Sequence, residues 1–360
     1  MVQRVPVTVL TGYLGAGKTT LLNRILREDH GRRYAVIVNE FGEIGIDGDL
    51  IMSTDEELFE MNNGCVCCTV RGDLIRTLQG LLQKGGSDAR PFDAIIVETT
   101  GLADPGPVAQ TFFMDPLLHA ATVLDSITTL VDARHIGLRL DDSREAVEQI
   151  AFADQIVLNK TELVDARELD AVEARLRRIN PMAPIHRTQR AGVPLESILG
   201  RGGFDLARIE SLEPGFLADT GQQAQPHVHD EHCGHDHECH DHHANSDGAP
   251  RALVADHFHD DGIASVCLSS HHTMDREAVS RWLQALVASQ GTQILRLKGI
   301  FDVQGEPRKL VVQGVHMLLE GDLQRPWTPQ EPRTSRLVLI GRGLDRAVLQ
   351  SAFEACAASA

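Results

Sequence analysis

Through the first two hundred residues, short apolar and β-branched runs alternate with stretches whose apolar positions recur at helical spacing. Strands are expected at residues 5–10, 33–39, 94–98, 127–131, 155–158 and 184–186. Helices are expected at 19–28, 73–83, 143–152 and 166–179. Strands alternating with helices predict an α/β fold, a mostly parallel sheet covered on both faces, with ligands at the carboxyl ends of its strands. A second unit begins near residue 251. Its pattern predicts strands at 263–269, 292–298, 309–317 and 336–340, with helices near 276–289 and 344–355. That is a smaller α+β layer with its helices on one face. The division expected is thus 1–208, 209–250 and 251–360, with the middle stretch a linker.

Between the first expected strand and helix runs Gly12-Tyr13-Leu14-Gly15-Ala16-Gly17-Lys18-Thr19, which fits G-x-x-x-x-G-K-[ST] at every fixed position. Gly12, Gly15 and Gly17 let backbone amides, including that of Ala16, turn toward phosphate oxygens. The helix N-terminus, reached at Thr19 and Thr20, adds a partial positive charge. Lys18 is expected to reach the β- and γ-phosphates, and the Thr19 hydroxyl to ligate Mg²⁺. Strand, glycine loop and helix together make a phosphate-binding loop of the P-loop NTPase class, not a plain turn.

Two later strands end in groups that suit the same ligand. Residues 92–98 end in Glu98, followed by Thr99-Thr100-Gly101, where this class places a magnesium-organising acid and a γ-phosphate sensor. Residues 155–158 run into Asn159-Lys160-Thr161-Glu162, similar to the guanine-reading N-K-x-D string with Glu in place of Asp. A carboxylate at Glu162 would accept from guanine N1 and N2, which favours GTP over ATP. Hydrolysis with Lys18, Thr19 and Glu98 in the catalytic roles is the activity expected.

The chemistry changes at Cys65, Cys67 and Cys68. No signal peptide or long apolar run directs the chain outward, so a cytoplasmic location and a reduced state are expected. Clustered thiols in that setting bind metal or act in redox chemistry. Thiolates suit Zn²⁺, Cu(I) or Co²⁺ better than Mg²⁺. Three sulfurs do not close a tetrahedral zinc site, so a carboxylate, imidazole, water or partner ligand must complete it. Such an open shell suits delivery better than a structural staple. The turn-like Asn62-Asn63-Gly64 puts the thiols on a loop near the nucleotide.

Residues 227–243 hold eight histidines, two cysteines and five carboxylates, a composition that cannot form a packed core. From Ile209 to Pro250 there is no Lys or Arg but nine acids, about half of the formal net charge of −17. A disordered linker that gathers divalent ions is expected, without choice among zinc, nickel, cobalt and copper. The acidic balance argues against nucleic acid and anionic membranes as partners.

Taken in order, Gly12 to Thr19, Asn39-Glu40-Phe41-Gly42-Glu43, Asn63-Gly64-Cys65-Val66-Cys67-Cys68, Glu98-Thr99-Thr100-Gly101-Leu102-Ala103-Asp104-Pro105 and Asn159 to Glu162 resemble the CobW-type metallochaperone GTPases, which include the zinc-regulated GTPase metalloprotein activators. Leu295-Arg296-Leu297-Lys298-Gly299, Gln313-Gly314-Val315-His316 and Arg325-Pro326-Trp327 resemble that family's C-terminal domain, so the resemblance covers essentially the whole chain. It implies weak intrinsic GTP hydrolysis, zinc or cobalt held at Cys65, Cys67 and Cys68, and transfer to a client apo-metalloprotein. It also points to Glu40 and Glu43 as acids that either complete the metal site or position magnesium. Glu162 departs from the usual Asp. The chain opens almost directly on its first strand at Met1-Val2-Gln3-Arg4, without the proline-containing arm by which some members engage methionine aminopeptidase, which speaks against that client. Cobalt delivery for cobalamin synthesis, a passive metal buffer and a nickel-inserting GTPase are the competing readings. Self-association is compatible with the sequence.

Other residues carry plainer expectations. Cys267 and Cys356 lie in apolar patterns and read as core thiols. Trp282 reads as a packed helical residue, and Asp125 and Asp132 as loop residues flanking an apolar run. His271-His272 reads as a turn before a helix, and His257 and His259 either extend the metal tract or lie on the surface.

Overall fold

The six expected strands of the first unit and a seventh, at 58–61, that was not expected assemble into one parallel sheet. The computed structural model describes residues 4–28, 31–39, 58–61, 68–84, 92–202 and 262–358. Its first sheet contains β1 (Val5–Gly12), β2 (Tyr34–Asn39), β3 (Leu58–Met61), β4 (Ala94–Glu98), β5 (Thr122–Asp132), β6 (Gln155–Asn159) and β7 (Ile185–Arg187). Their spatial order is β3-β2-β4-β1-β5-β6-β7, and every pair is parallel. β1 lies at the centre because both of its faces are apolar: Val7 and Val9 face one core, Leu10 the other.

Helices cover both faces, as parallel sheets require. α1 (Lys18–Arg27) lays Leu21, Leu22 and Ile25 on Leu10, Val36, Ile96 and Val157. Against the opposite face pack α2 (Cys68–Lys84), α3 (Pro105–Met114), α4 (Pro116–Ala121) and α6 (Arg144–Phe152), through Leu74, Leu78, Phe112, Leu118 and Ile150. Each such side chain contributes about 1.5–3 kcal/mol by leaving water. α5 (Ile136–Asp142) links β5 to α6, and α7 (Ala166–Ile179) follows β6 with a capping box in which Glu168 N donates to Asp165 Oδ1 at 2.8 Å.

Three differences from the sequence expectations have local causes. α3 and α4 were not expected; each starts from an aspartate cap followed by proline, Asp104-Pro105 and Asp115-Pro116, with the carboxylate accepting first-turn N–H groups. β5 begins at Thr122, not residue 127, because it pairs along the whole of β1 with a register shift between Val7 and Thr8. Asp125 is therefore a buried strand residue, not a loop residue, and its carboxylate accepts from Arg201 N at 2.9 Å and Gly202 N at 2.6 Å.

The second sheet holds β8 (Ile263–Ser270), β9 (Ile294–Phe301), β10 (Arg308–Val315), β11 (Leu318–Pro326) and β12 (Ser335–Arg342), ordered β11-β10-β9-β12-β8 and antiparallel throughout. α8 (Arg276–Gln290) and α9 (Arg346–Glu354) cover one face through Leu283, Leu286, Leu349 and Phe353, and Trp282 packs edge-on against Phe353. From this sheet Ile263, Leu295, Val315 and Ile340 join the same apolar cluster as the first sheet, and α6 meets β9 while α3 meets β10. Cys356 is buried as expected, but Cys267 is exposed, on an outward position of β8. No helix among the described residues is long and apolar enough to cross a membrane.

Candidate functional site

The glycine loop leaves the carboxyl end of β1 and enters α1 at Lys18. Gly12, Gly15 and Gly17 have φ of 139°, 75° and 110°, all in the region that favours glycine. At Gly12 a β-carbon would lie 2.3 Å from the Leu130 carbonyl oxygen, and at Gly17 it would lie 2.5 Å from Asn159 Nδ2. Ala16 is buried and donates its N–H to the Tyr13 carbonyl at 3.1 Å. Lys18 Nζ donates to the Gly12 carbonyl at 2.9 Å, so the ammonium lies across the loop that is expected to cradle phosphate. Thr19 is half-buried in the first turn of α1, and Thr20 is exposed beside it.

Glu98, only 6% exposed, ends β4 in register with Leu10 of β1, beside the start of the loop. The next residue fixes that edge: Thr99 N donates to the Leu10 carbonyl at 2.9 Å, and Thr99 Oγ1 to Thr11 Oγ1 at 2.8 Å. Gly101 then passes so close to Leu14 that a β-carbon there would lie 2.6 Å from its side chain.

On the other side of β1, the end of β6 carries the suspected guanine-reading string. Asn159, 2% exposed, donates from Nδ2 to the Ala16 carbonyl at 2.9 Å and accepts at Oδ1 from Ala191 N at 2.8 Å. It therefore ties the phosphate loop to the 188–192 turn, where Arg190 and Ala191 both have positive φ. Lys160, itself at φ 61°, donates from Nζ to Asp132 Oδ2 at 2.7 Å. Burial pushes the Asp132 carboxyl up, but hydrogen bonds from Lys160 and His135 and the Lys160 charge outweigh it, and the net value lies below the usual carboxylate range. Asp132 is thus the last residue of β5 and the anchor of Lys160, not a loop residue. Glu162 sits exposed in the short 3₁₀ turn Thr161–Leu163 with its carboxylate toward solvent.

The metal candidates divide differently. Glu40, Glu43, Cys65, Cys67 and the tract 227–243 lie outside the described residues. Cys68 is the first residue of α2. Asn39 ends β2 and Met61 ends β3, paired in register one step beyond Glu98, so the described residues flanking these candidates stand at the sheet edge that carries the phosphate loop. Among the described residues, no three His, Cys, Asp or Glu side chains are arranged to hold a metal ion.

Sequence reasoning missed the residues that brace the loop after β4. Gln149 of α6, 1% exposed, donates from Nε2 to the carbonyls of Gly101 at 3.1 Å and Ala103 at 3.0 Å. Asp104 caps α3 by accepting from Gly106 N at 2.8 Å; burial raises its carboxyl pKa, with that hydrogen bond opposing. Beside the tip of the phosphate loop is a cavity of about 250 Å³, lined in part by Tyr13, Leu14, His135, Arg139 and Gln149, with the Arg139 guanidinium 5.2 Å over the Tyr13 ring.

Comparison with known proteins matches this architecture along its length. Residues 6–187 match the CobW/HypB/UreG nucleotide-binding domain, and residues 263–357 match the cobalamin synthesis protein CobW C-terminal domain. The zinc chaperone YjiA of Escherichia coli (strain K12) is 34% identical over 97% of this chain and 98% of its own. The zinc chaperone CobW of Sinorhizobium sp is 32% identical over 98% of this chain and 97% of its own. The crystal structure of Zn(II)-bound YjiA GTPase from E. coli superposes with a TM-score of 0.68 at 30% identity, covering 99% of this chain and all of that one. With a strand, glycine loop and helix at the carboxyl end of the sheet and both domains matched in order, the chain belongs to the CobW/HypB/UreG family of nucleotide-binding proteins.

Proposed function

We propose that the protein is a GTP-hydrolysing metallochaperone that carries zinc and yields it to a client apo-metalloprotein according to the nucleotide bound. The observation that carries this reading is the convergence on one sheet edge of the phosphate loop, Glu98, Asn159 and the ends of β2 and β3, from which the Glu40, Glu43 and cysteine segments continue. Its relatives are zinc chaperones and GTPases by name, which supports zinc as the cargo.

The glycine loop, with its positive-φ backbone at Gly12, Gly15 and Gly17, fits a triphosphate. Residues Gly15 to Thr20 would surround the phosphates, the amide of Ala16 and the ammonium of Lys18 exchanging the Tyr13 and Gly12 carbonyls for phosphate oxygens. Thr19 and Glu98 would hold Mg²⁺, which would neutralise phosphate charge. Water attacks the γ-phosphorus and the bond to the β-phosphate oxygen breaks, giving GDP, inorganic phosphate and a proton. Asn159 and Lys160 set the base-binding edge, and Glu162 accepts from guanine. Cys65, Cys67 and Cys68 supply thiolates to zinc, with Glu40 or Glu43 closing the shell; Co²⁺ fits the same donors. The tract within 209–250 gathers ions for this site, between a nucleotide unit at 1–208 and a C-terminal unit at 251–360, in the cytoplasm.

The test is zinc and cobalt affinity at pH 7 with a slowly hydrolysed GTP analogue and then with GDP, using a chain lacking residues 227–243. A roughly hundredfold difference, equivalent to about 2.7 kcal/mol of coupling, that disappears in Cys67→Ala is the expected result. Equal affinity in both nucleotide states would overturn the coupling and leave a metal buffer.

A further inference from the structure

Behind the loop after β4 stands a bracing layer made by α6 and the C-terminal sheet. α6 contributes three contacts, from Glu148, Gln149 and Phe152. Glu148 Oε1 accepts from Arg342 of β12 at 2.8 Å, and Gln149 donates to Gly101 and Ala103. Phe152 packs its ring 5.0 Å from that of His316. The Gln149 carbonyl is itself held by Thr129 Oγ1 at 2.8 Å, so the helix has little freedom to follow the loop.

His316 makes the other contact. It occupies the tight turn between β10 and β11 with φ 51°, a left-handed backbone setting that disfavours a side chain. Its imidazole lies against the first turn of α3. A β-carbon at Gly106 would meet His316 Nε2 at 2.9 Å and Cδ2 at 3.0 Å. The absence of a side chain at Gly106 is what lets the C-terminal sheet touch the segment that leaves Glu98.

We infer that Gln149 and His316 are positioning residues for GTP hydrolysis, holding residues 101–106 between α6 and the C-terminal sheet so that the loop is set against the phosphate loop. This rests on the reading of the chain as a GTPase. Gln149 acts from within the nucleotide unit through two carbonyls, and His316 acts from the other sheet through shape. Neither touches the reacting atoms. The arrangement makes the C-terminal sheet part of the hydrolytic unit, because movement of the 101–106 segment must displace His316 or break both Gln149 bonds.

The experiment is steady-state GTP hydrolysis with Mg²⁺ by the full chain, together with GDP affinity and thermal unfolding. Gln149→Leu keeps the volume but removes both donors; kcat is expected to fall about tenfold while KM and GDP affinity stay within about twofold. Gly106→Ala is expected to lower kcat by a similar factor by pushing on His316. Adding His316→Ala to Gly106→Ala is expected to restore at least half of that loss, since the methyl then has room. A double variant no better than Gly106→Ala would assign the effect to the Asp104 cap and overturn the role of His316. A Gln149→Leu chain with wild-type kcat, or one whose GDP affinity falls as much as kcat, would overturn the role of Gln149. Should Gly106→Ala not fold, His316→Ala alone decides, expected to lower kcat with GDP affinity unchanged and overturning the role if it does not. A wild-type chain with no turnover would overturn the GTPase reading and this inference together, whereas normal wild-type turnover isolates the positioning role.

Discussion

Asn159 Nδ2 donates to the Ala16 carbonyl at 2.9 Å, across 143 residues of sequence, while its Oδ1 accepts from Ala191 N at 2.8 Å. One buried amide thus sets the distance between the phosphate loop and the 188–192 turn. Asn159→Ala leaves a buried carbonyl and a buried N–H without partners, at a cost of about 2 kcal/mol in stability. GTP affinity is expected to fall by about tenfold or more because both loops lose their spacing. Urea denaturation and nucleotide titration of the same variant check the two effects separately.

The loop glycines are not interchangeable. Gly12 has φ 139°, and a β-carbon there would lie 2.3 Å from the rigid Leu130 carbonyl, whereas nothing lies within 4 Å of the same atom at Gly15. Gly15→Ala should therefore cost only its left-handed backbone, about 1–2 kcal/mol. Gly12→Ala should force β1 away from β5, costing about 2–4 kcal/mol and abolishing measurable nucleotide binding. Thermal unfolding with and without nucleotide distinguishes the two. A large nucleotide-induced stabilisation surviving in Gly12→Ala would contradict the argument.

How much of this was legible in the sequence follows from where each residue finds its partners. β4 and α7 were read to the residue, because their signals are local: an apolar run ending in Glu98, and a capping box at Asp165. α3 was not expected, since Gly106 and Pro107 look like breakers and its buried residues surround the helix without a polar stripe. β11 was missed because Leu318–Pro326 is a half-exposed edge strand containing Gly321, defined by pairing with β10. Gln149 could not be found at all, because its acceptors are two backbone carbonyls 46 and 48 residues away. The phosphate loop was visible since its chemistry is contiguous. The brace behind it is dispersed, and only folding brings it together.

The two units are joined by charge as well as by apolar contact. Asp154 is buried with its Oδ1 at 2.5 Å from Arg296 Nη2 and 2.6 Å from Lys298 Nζ, both on β9. Burial pushes this carboxyl up, but the two cations outweigh that and hold it below its ordinary value. A depressed carboxylate contributes stability above its unfolded value of about 3.9, and that contribution is lost as pH falls through the folded value. At pH 7, Asp154→Ala is expected to cost about 3 kcal/mol, since it removes the buried carboxylate that Arg296 and Lys298 share. Asp154→Asn should flatten the loss of stability below about pH 4 relative to wild type. Urea midpoints at pH 7 and at acid pH measure both.

A second ionic knot lies away from the interface. Lys309 Nζ, with no exposure, sits 3.0 Å from Glu331 Oε2 and 4.5 Å above the Trp327 ring. Hydrogen bonding from Arg325, with burial opposing and Lys309 assisting, holds the Glu331 carboxyl at about 2 instead of 4.5. Its contribution is complete above about pH 4.5 and is lost as pH falls toward about 2. Glu331→Gln should cost about 2 kcal/mol at pH 7, discounted for its partial exposure, and should leave GTP turnover unchanged because the knot touches neither α6 nor the phosphate loop. A thermal melt paired with a hydrolysis assay checks this.

Glu162 offers the sharpest test of base recognition. It stands exposed in the 3₁₀ turn after Lys160, one methylene longer than the aspartate expected there. If its carboxylate accepts from both guanine N1 and the exocyclic N2, inosine triphosphate loses one charge-assisted bond and should bind about ten- to a hundredfold more weakly than GTP. Glu162→Ala removes the acceptor for both ligands, so both should weaken, GTP by the larger factor, and the preference should vanish. Glu162→Asp should keep the preference while changing affinity, since the carboxylate chemistry is retained and only its reach is shortened. Competition titration of the two nucleotides against a fluorescent GDP analogue measures the ratio directly. A wild-type ratio near one would mean that the 3₁₀ turn does not read guanine and that selectivity comes from the Asn159-braced turn at 188–192 instead.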